Sequence, residues 1–169
     1  MQYTGKKVIL VPISEKYRED IFAASTPTLV RFMSWSAPID ISETDAFIKN
    51  AMQDNLTGKT YTFNIVDLVS GQFIGTCSIH EDIPGKKEVG IWIKESSQGN
   101  GYGKDALQTL LVFAREALQL DSLLYRAAPE NIGSQKLCES LGGVYIGIST
   151  LKHKTEPREM PMKDYIITL

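Results

Sequence analysis

Residues 61–93 contain three strand-like runs in immediate succession, and this feature constrains the fold more than any other part of the sequence. The runs cover residues 61–69, 72–80 and 88–93, and the segments "SGQ" and "DIPGKK" lie between them. Short connections that contain Gly are typical of hairpins, so consecutive runs are predicted to be antiparallel neighbours. The chain is therefore expected to form a sheet that is antiparallel through its middle.

The remaining periodic segments add strands and helices on both sides of this meander. Apolar residues recur at helical spacing after the third run, and polar or Gly-containing segments separate the other elements. The element order is β, α, α, β, β, β, α, β, α, β, β, which predicts a mixed α/β sheet with helices on its faces. Further strands are predicted at 7–13, 122–128, 144–151 and 162–169. Helices are predicted at 14–24 with Ser14 as N-cap, from Ser42 to "LTGK", over 106–118, and from Asn131 to the glycine pair 142–143. The segment 26–40 is predicted to be irregular.

Size and composition narrow the function classes. The 169 residues predict one domain spanning 1–169. A net charge of −2 lacks the basic excess of a nucleic-acid binder. Apolar runs are too short for a membrane span, and the N-terminus lacks a signal-peptide core, so a cytoplasmic protein is expected. The two cysteines and two histidines are too scattered in sequence for a disulfide framework or a metal site, so no metal is expected.

Glycine occupies every second position at Gly99, Gly101 and Gly103, directly before a predicted helix. One interpretation is a flexible connection between a strand and a helix. A second is an anion site, because the first turn of a helix has unpaired backbone N–H groups and a partial positive charge. Glycine lets a phosphate approach those groups without meeting a Cβ atom. Three alternating glycines favour the anion site.

Two common phosphate motifs do not fit this segment. The dinucleotide fingerprint G-x-G-x-x-G requires glycine where Lys104 or Ala106 stands, and the antiparallel meander before it is not a βαβ unit. A P-loop requires glycine at Gln98 and a hydroxyl residue at Asp105. A nucleotide-binding regulatory domain is therefore disfavoured, and the pattern that remains is Q-x-x-G-x-G over residues 98–103.

This pattern resembles the acetyl-coenzyme A loop of the GNAT superfamily of N-acetyltransferases. The segment "EVGIWI" before it resembles the central strand of that family, and "NIGSQKLCESLGG" after it resembles a second family signature. The spacing is most similar to the branch that includes the ribosomal-protein N-terminal alanine acetyltransferases, and "RFMSW" and "SETDAFI" upstream fit that branch. The resemblance covers the chain from residue 7 onward and is most specific over residues 88–142.

The resemblance implies a GNAT-like fold: a largely antiparallel central sheet with splayed strands and helices on both faces. It implies acetyl-CoA as co-substrate and transfer of the acetyl group to a primary amine by direct attack in a ternary complex. The pantetheine would pair with strand backbone, and the pyrophosphate would lie on the glycine loop. The cofactor-binding residues implied are Ile91, Trp92, Ile93, Gln98, Gly99, Asn100, Gly101, Tyr102, Gly103, Lys104, Asn131 and Ser134, and Asn131 has helix capping as an alternative role.

Glu88 is the candidate general base, because the resemblance places it on the central strand close to the thioester. It would act directly or through a water molecule. The alternative is a strand-edge carboxylate that pairs with a nearby lysine. His80 and Glu81, at the end of the preceding strand, are the weaker options.

The position at which many family members have a tyrosine is Cys138 in this chain. A thiol here is either a weak acid or a small buried side chain. Ser134 or solvent would then protonate the leaving thiolate, or proximity alone would suffice, and an acetyl-Cys138 intermediate is a further hypothesis. Trp35 is the candidate wall of the acceptor pocket, and residues 25–56 and 144–165 are expected to build that pocket.

The expected partner is a protein N-terminus or a small amine, with no nucleic acid and no membrane, and a homodimer is compatible with the sequence. The alternative function is a non-catalytic acyl-CoA-binding sensor on the same fold, which the missing tyrosine keeps open. The complete 98–103 loop and Glu88 favour the enzyme.

Overall fold

The computed structural model describes residues 2–169, which form an eight-stranded sheet with helices on both faces. The strand order across the sheet is β1-β2-β3-β4-β5-β6-β8-β7. The strands are β1 Tyr3–Thr4, β2 Val8–Pro12, β3 Tyr61–Asp67, β4 Phe73–Ile83, β5 Lys86–Ile93, β6 Ser122–Ala127, β7 Val144–Lys152 and β8 Glu159–Thr168. The helices are α1 Arg18–Ala24, α2 Pro27–Val30, α3 Ile41–Thr57, α4 Tyr102–Glu116 and α5 Ile132–Glu139.

The predicted meander is confirmed. Strands β3, β4 and β5 pair in antiparallel order through the two short Gly-containing connections. Strand β5 then pairs with β6 in parallel, and α4 makes the crossover between them. The other neighbouring strands in the described chain are antiparallel. The sheet is therefore mixed and largely antiparallel, as the sequence predicts.

The helices cover the two faces of the sheet with two separate apolar clusters. Helix α4 packs against β2, β4 and β5, and its apolar residues, which include Leu107 and Leu110, are fully buried there. Helices α1 and α3 pack on the other face, where Ile48 and Trp92 belong to a second cluster. None of the helices in residues 2–169 has the length and apolar character needed to cross a membrane.

The start of one predicted helix is shifted, whereas a second predicted helical segment begins after Ser14 as expected but is divided. Helix α3 begins after Asp40, whose carboxylate accepts a hydrogen bond of 2.8 Å from Ser42 N, so Ser42 lies inside the first turn. The predicted helix 14–24 divides into a 3-10 turn at Glu15–Tyr17 and α1, and the Ser14 side chain makes no capping hydrogen bond. At the start of α3, two polar residues with good capping side chains stand close together, and the sequence does not distinguish them.

Other elements also differ from the sequence predictions. The segment 26–40 contains the short helix α2, for which Thr26 is the N-cap. Strand β1 was not predicted, since it has only two residues. Strands β4 and β8 are longer than predicted, because β-pairing continues from the predicted ends toward the hairpin turns.

Candidate functional site

Two of the three alternating glycines adopt a backbone conformation that favours glycine. Gly99 has φ 76° and Gly101 has φ 80°, both in the left-handed region. Gly101 is also the N-cap of α4. At Gly103 a Cβ atom would lie 3.5 Å from a Leu137 methyl group and 3.6 Å from Ile93. The loop therefore turns twice before the helix, and the helix then packs closely between β5 and α5.

These turns leave a row of backbone donors without partners. Within the described residues, the N–H groups from Gly99 to Lys104 donate no hydrogen bond, and the first bond belongs to Asp105 N, which donates to Gly101 O at 3.2 Å. The Gly99 position is open, because nothing lies within 4 Å of a Cβ atom built there. A helix N-terminus with open N–H groups is a suitable site for an anion.

The side chains of the loop hold its conformation through hydrogen bonds and leave its backbone N–H groups uncovered. The Gln98 amide donates to Ile93 O at 2.9 Å, and the Asn100 amide donates to Ser97 O at 3.2 Å. The Lys7 ammonium donates to Asn100 O at 2.8 Å. Lys104 is exposed on the first turn of α4. The loop thus keeps its shape through contacts that leave its own N–H groups free.

Two anchors that sequence reasoning missed hold the start of α4. The Asp105 carboxylate accepts three backbone hydrogen bonds from Lys6, Lys7 and Val8, at 2.7–3.0 Å. Its signal in the sequence is an acidic residue on the apolar, buried face of the helix. The second anchor is the Tyr102 hydroxyl, which donates to Asp67 at 2.7 Å, so the Tyr102 side chain points toward β3.

Strands β5 and β6 pair over only two registers and then separate. Glu88 pairs with Leu124 and Val89 pairs with Tyr125, and within the described chain the pairing stops there although β5 continues to Ile93. The other edge of β5 stays paired with β4 through Ile93. Residues 90–93 therefore present to a gap one backbone edge that no strand pairs with, as the splayed-strand expectation requires, although Ile93 O already accepts from the Gln98 amide. The Trp92 side chain is buried against Phe73, so only its backbone is available at the gap.

Helix α5 borders the other side of the gap. Asn131 is its N-cap and accepts a hydrogen bond of 3.2 Å from Ser134 N, so the capping interpretation of Asn131 is confirmed. The Ser134 hydroxyl lies 2.9 Å from the Tyr125 hydroxyl. Tyr125 was not singled out from the sequence, because its closeness to Ser134 depends on how β6 and α5 pack.

Cys138 is fully buried, and the expectation that it acts in catalysis is not supported by its surroundings. Its side chain is enclosed by the apolar core, and a Cβ atom built on Gly143 would clash with its sulfur. Burial raises the pKa of the Cys138 thiol to about 12. A thiol with this pKa is a poor nucleophile and a poor acid, so Cys138 is a packing residue.

Glu88 belongs to a charged cluster formed by neighbouring strands of the sheet, in which Glu88 and Arg126 are buried, His80 is half-buried and Asp82 is exposed. Both carboxylate oxygens accept hydrogen bonds from the Arg126 guanidinium, at 2.9 and 2.7 Å. The expected lysine partner is therefore wrong, because the partner is this arginine from the neighbouring strand. Arg126 also donates to Asp82 at 3.3 Å, and the Asp82 pKa is lowered, chiefly by a hydrogen bond from His80.

The cluster has the spacing of a metal site but already contains a cation. The ligand atoms of His80, Asp82 and Glu88 lie within 4.8 Å of one another. The guanidinium of Arg126 contacts both carboxylates, and its side chain is only 2% exposed. The other weaker base candidate, Glu81, lies outside the cluster, since it accepts from Gly85 N and pairs with Lys87.

The two segments expected to build the acceptor pocket meet in the structure. Lys154 N donates to Ser34 O at 2.7 Å, and the Ser36 and Thr155 hydroxyls lie 2.8 Å apart. The loop before α3 is thereby joined to the β7–β8 connection. Trp35 lies within this loop, half-buried against the cluster under α1 and α3. Its role as a pocket wall stays a prediction.

Comparison with known proteins agrees with this arrangement. The family model described as the acetyltransferase (GNAT) domain matches residues 7–144 of the 169-residue chain. The chain belongs to the GNAT acetyltransferase family. A protein of Bacillus licheniformis named uncharacterized N-acetyltransferase p20 is 27% identical to this GNAT enzyme over 119 residues, which are 69% of this chain and 67% of the relative.

Solved structures share the whole fold of this GNAT enzyme. A candidate ribosomal-protein-serine acetyltransferase from Vibrio cholerae superimposes with a TM-score of 0.86 at 23% identity, over 100% of this chain and 98% of the other. The microcin C7 self-immunity acetyltransferase, solved with acetyl-CoA and AMP, superimposes with a TM-score of 0.84 at 18% identity, over 97% and 93%. Both likenesses show the GNAT fold.

The family membership settles the reaction class. The protein is an N-acetyltransferase, which moves an acetyl group from acetyl-CoA to an amine. The expectation of a GNAT enzyme is confirmed, and the alternative of a non-catalytic sensor is not supported.

Proposed function

We propose that this enzyme binds acetyl-CoA along the gap between β5 and β6 and transfers the acetyl group directly to the α-amino group of a protein or peptide. The observation that carries the proposal is the row of unpartnered N–H groups from Gly99 to Lys104 at the mouth of the gap. A pyrophosphate is the part of acetyl-CoA that such a row fits. The pantetheine arm then follows the edge of Ile91–Ile93 that no strand pairs with, as an added strand would.

Glu88 is proposed to assist removal of the proton from the amine, directly or through a water molecule. Both Glu88 carboxylate oxygens already accept hydrogen bonds from Arg126, so an acceptor amine that loses its proton readily suits this site best. An α-amino group has a pKa of about 7.7–8.0, whereas a lysine side chain has about 10.4. This difference supports a chain N-terminus over a lysine side chain.

The acceptor class has further support from the fold comparison. Hydrogen bonds join residues 34–36 to residues 154–156, so the two segments expected to build the acceptor pocket lie together. The Vibrio cholerae neighbour is described as acting on a ribosomal-protein serine. Ribosomal-protein N-termini are therefore the first acceptors to test. A cytoplasmic location, a single domain over 1–169 and a homodimer stay predictions.

Thermal unfolding with acetyl-CoA, CoA, ATP and NAD at equal concentrations tests the cofactor site. A ligand present at a hundred times its dissociation constant should stabilise the folded state by about 2.7 kcal/mol. We expect acetyl-CoA and CoA to raise the melting temperature and ATP and NAD to leave it unchanged. Equal shifts with all four ligands, or none with the CoA species, would overturn the assignment of the 98–103 loop.

The acceptor is tested with matched peptides that differ only in which amine is free. One carries a free serine or alanine N-terminus and no lysine, and the other has a blocked N-terminus and one internal lysine. We expect acetylation, measured by mass spectrometry, of the first peptide only. Acetylation confined to the lysine peptide, or to a polyamine offered beside it, would refute an α-amino acceptor.

A further inference from the structure

A cavity of about 540 Å³ lies beside the glycine loop and is separate from the gap between β5 and β6. Its walls come from the segment before β2, the β3–β4 connection and the loop itself. In the sheet order these elements lie on the β4 side of β5, whereas the gap lies on the β6 side. The volume is in the range of sites for small molecules. Among the lining residues are Lys6, Lys7, Asp67, Ser97, Asn100 and Tyr102.

Two exposed lysines give the cavity positive charge that is available to an anion. The Lys7 ammonium donates to Asn100 O at 2.8 Å, and within residues 2–169 neither Lys6 nor Lys7 forms an ion pair. The carboxylate that lines the cavity, Asp67, already accepts from the Tyr102 hydroxyl and from Ser70 N and its hydroxyl, at 2.7–2.8 Å. A lysine ammonium binds phosphate as a point charge. The cavity is therefore better suited to an anion than to a cation.

Ser97 adds a hydroxyl that has no partner in the described chain. The residue is only 8% exposed and lines the cavity. Its backbone is engaged, since Ser97 N donates to Lys94 O at 2.9 Å and Ser97 O accepts from the Asn100 amide at 3.2 Å. Within residues 2–169 its hydroxyl makes no hydrogen bond. A buried hydroxyl without a partner is costly, so this group points to an acceptor on a ligand.

We propose that this cavity binds a small phosphorylated metabolite and that its occupant lowers the affinity of the enzyme for CoA. Lys6 and Lys7 supply the charge, and the Ser97 hydroxyl donates to a phosphate oxygen. A phosphate suits these donors better than a carboxylate, because it has more acceptor oxygens and more charge for groups that come from separate elements. The rest of the molecule lies in the remaining volume, beside Ile74 and Tyr102.

The two sites are coupled through Asn100, which lies in the row of N–H groups that faces the CoA pyrophosphate in the proposed function. The Lys7 ammonium holds Asn100 O on the cavity side. An anion in the cavity competes with Asn100 O for that ammonium and adds negative charge close to the pyrophosphate. Both effects oppose CoA, and coupling between two binding sites is reciprocal. This effect on CoA rests on the proposed function, whereas the binding of phosphate in the cavity does not.

Inorganic phosphate is the probe, and calorimetry of the CoA-saturated enzyme at constant ionic strength measures its binding while the glycine loop is filled. The proteins are the wild type, Lys6→Met, Ser97→Ala and the control Lys49→Met. Lys49 is an exposed residue of α3, so the control removes the same charge from the opposite face of the sheet. Binding of CoA reports that each variant is folded. We expect the wild type and the control to bind phosphate equally, and both cavity variants to bind it about tenfold more weakly.

A second measurement follows the dissociation constant of CoA as phosphate is added. Occupation of a separate site raises this constant to a plateau, whereas competition at the glycine loop raises it without limit. We expect a plateau in the wild type and in Lys49→Met, and the cavity variants should need about ten times more phosphate to reach it.

An increase without limit, or equal phosphate affinity in all four proteins, would overturn the proposal while leaving the CoA site in place. If CoA did not bind at all, the proposed function would be overturned. Phosphate binding to the CoA-free enzyme that weakens in Lys6→Met and not in Lys49→Met would then still support the cavity site.

Discussion

The glycine loop before α4 and the charged cluster around Glu88 form the two halves of the site, and they use different chemical groups. The loop before α4 presents backbone N–H groups, and its side chains hold its shape. The cluster around Glu88 presents side-chain charges that are paired with one another, on strands β4, β5 and β6. The first half needs little beyond a local conformation, whereas the second needs the tertiary fold to be correct.

This difference determines how substitutions impair each half of the site. A backbone site is damaged when its conformation or its open space changes, and the rest of the fold remains in place. A buried ion pair is damaged when one partner is removed, because the other charge is left without compensation in a region of low dielectric. Changes in the loop should therefore reduce binding of the co-substrate, and changes in the cluster should reduce the stability of the protein.

The largest effect is expected from Arg126→Met. The Arg126 and Glu88 side chains are 2% and 6% exposed, so this change leaves the carboxylate buried with only the more distant His80 imidazole, at 4.0 Å, to compensate it. Breaking a buried pair costs about 3–5 kcal/mol of unfolding free energy, which urea denaturation will measure. A loss below about 1 kcal/mol, the range of exposed pairs, would mean that water compensates the charge.

The double variant Glu88→Met/Arg126→Met separates stability from catalysis. Replacing both partners with apolar side chains of similar size is often neutral for stability. We expect the double variant to regain most of the lost free energy and to remain inactive in acetyl transfer. Recovery of activity together with stability would remove Glu88 from the proposed mechanism.

The next effect is expected from Gly99→Ala, with Gly85→Ala as a matched control. The two glycines have φ 76° and 78°, and nothing lies within 4 Å of a Cβ atom at either position. Both changes should cost about 1–2 kcal/mol of stability from the left-handed conformation. Only Gly99→Ala should weaken CoA binding, by about tenfold or more, because one hydrogen bond to a charged group contributes about 1.5–3 kcal/mol.

Equal CoA affinity in the two glycine variants would contradict the loop assignment. Such a result would mean that the open space at Gly99 is not where the phosphates lie. Calorimetry with CoA, together with urea denaturation of each variant, provides both measurements.

The same contrast explains what the sequence predicted and what it did not. The glycine loop, the hairpins and the Asn131 cap each depend on neighbouring residues in the chain, so residue type and spacing are sufficient to predict them. The loop position and the antiparallel meander are accordingly correct.

The partners of Glu88 and Ser134 could not be predicted in this way. Arg126 is 38 residues from Glu88, and Tyr125 is nine residues from Ser134 across a turn of the chain. Each contact depends on the register between strands or on the packing of a helix against the sheet. Cys138 shows the same limit. Its position, where many family members have a tyrosine, predicted a catalytic role, whereas its burial in the core indicates that it is a packing residue.

A smaller effect is expected from Cys138→Ala. The sulfur is buried, so its removal should cost about 1–2 kcal/mol of stability through the space it leaves. Acetyl transfer by the folded protein should stay within about twofold, because the 138 thiol contacts the core and not the gap. An acetylated cysteine detected by intact mass, with loss of activity in the variant, would restore the acetyl-Cys138 hypothesis.

The smallest effect concerns the pH dependence of the anchor at the start of α4. Hydrogen bonds from Ser70 N and from the Tyr102 and Ser70 hydroxyls lower the pKa of Asp67 to about 2. The pKa of an aspartate in an unfolded chain is about 3.9. Because the folded-state pKa is the lower one, Asp67 contributes stability above about pH 4 and loses it as the pH falls toward 2.

Asp67→Asn should therefore lower the melting temperature near neutral pH, and the difference from the wild type should shrink as the pH is lowered through this window. Tyr102→Phe removes one of the donors and should give a smaller difference over the same window. If the difference between Asp67→Asn and the wild type were constant from neutral pH down to about pH 2, the charge of Asp67 would contribute nothing. The anchor would then act through hydrogen bonds that do not depend on that charge.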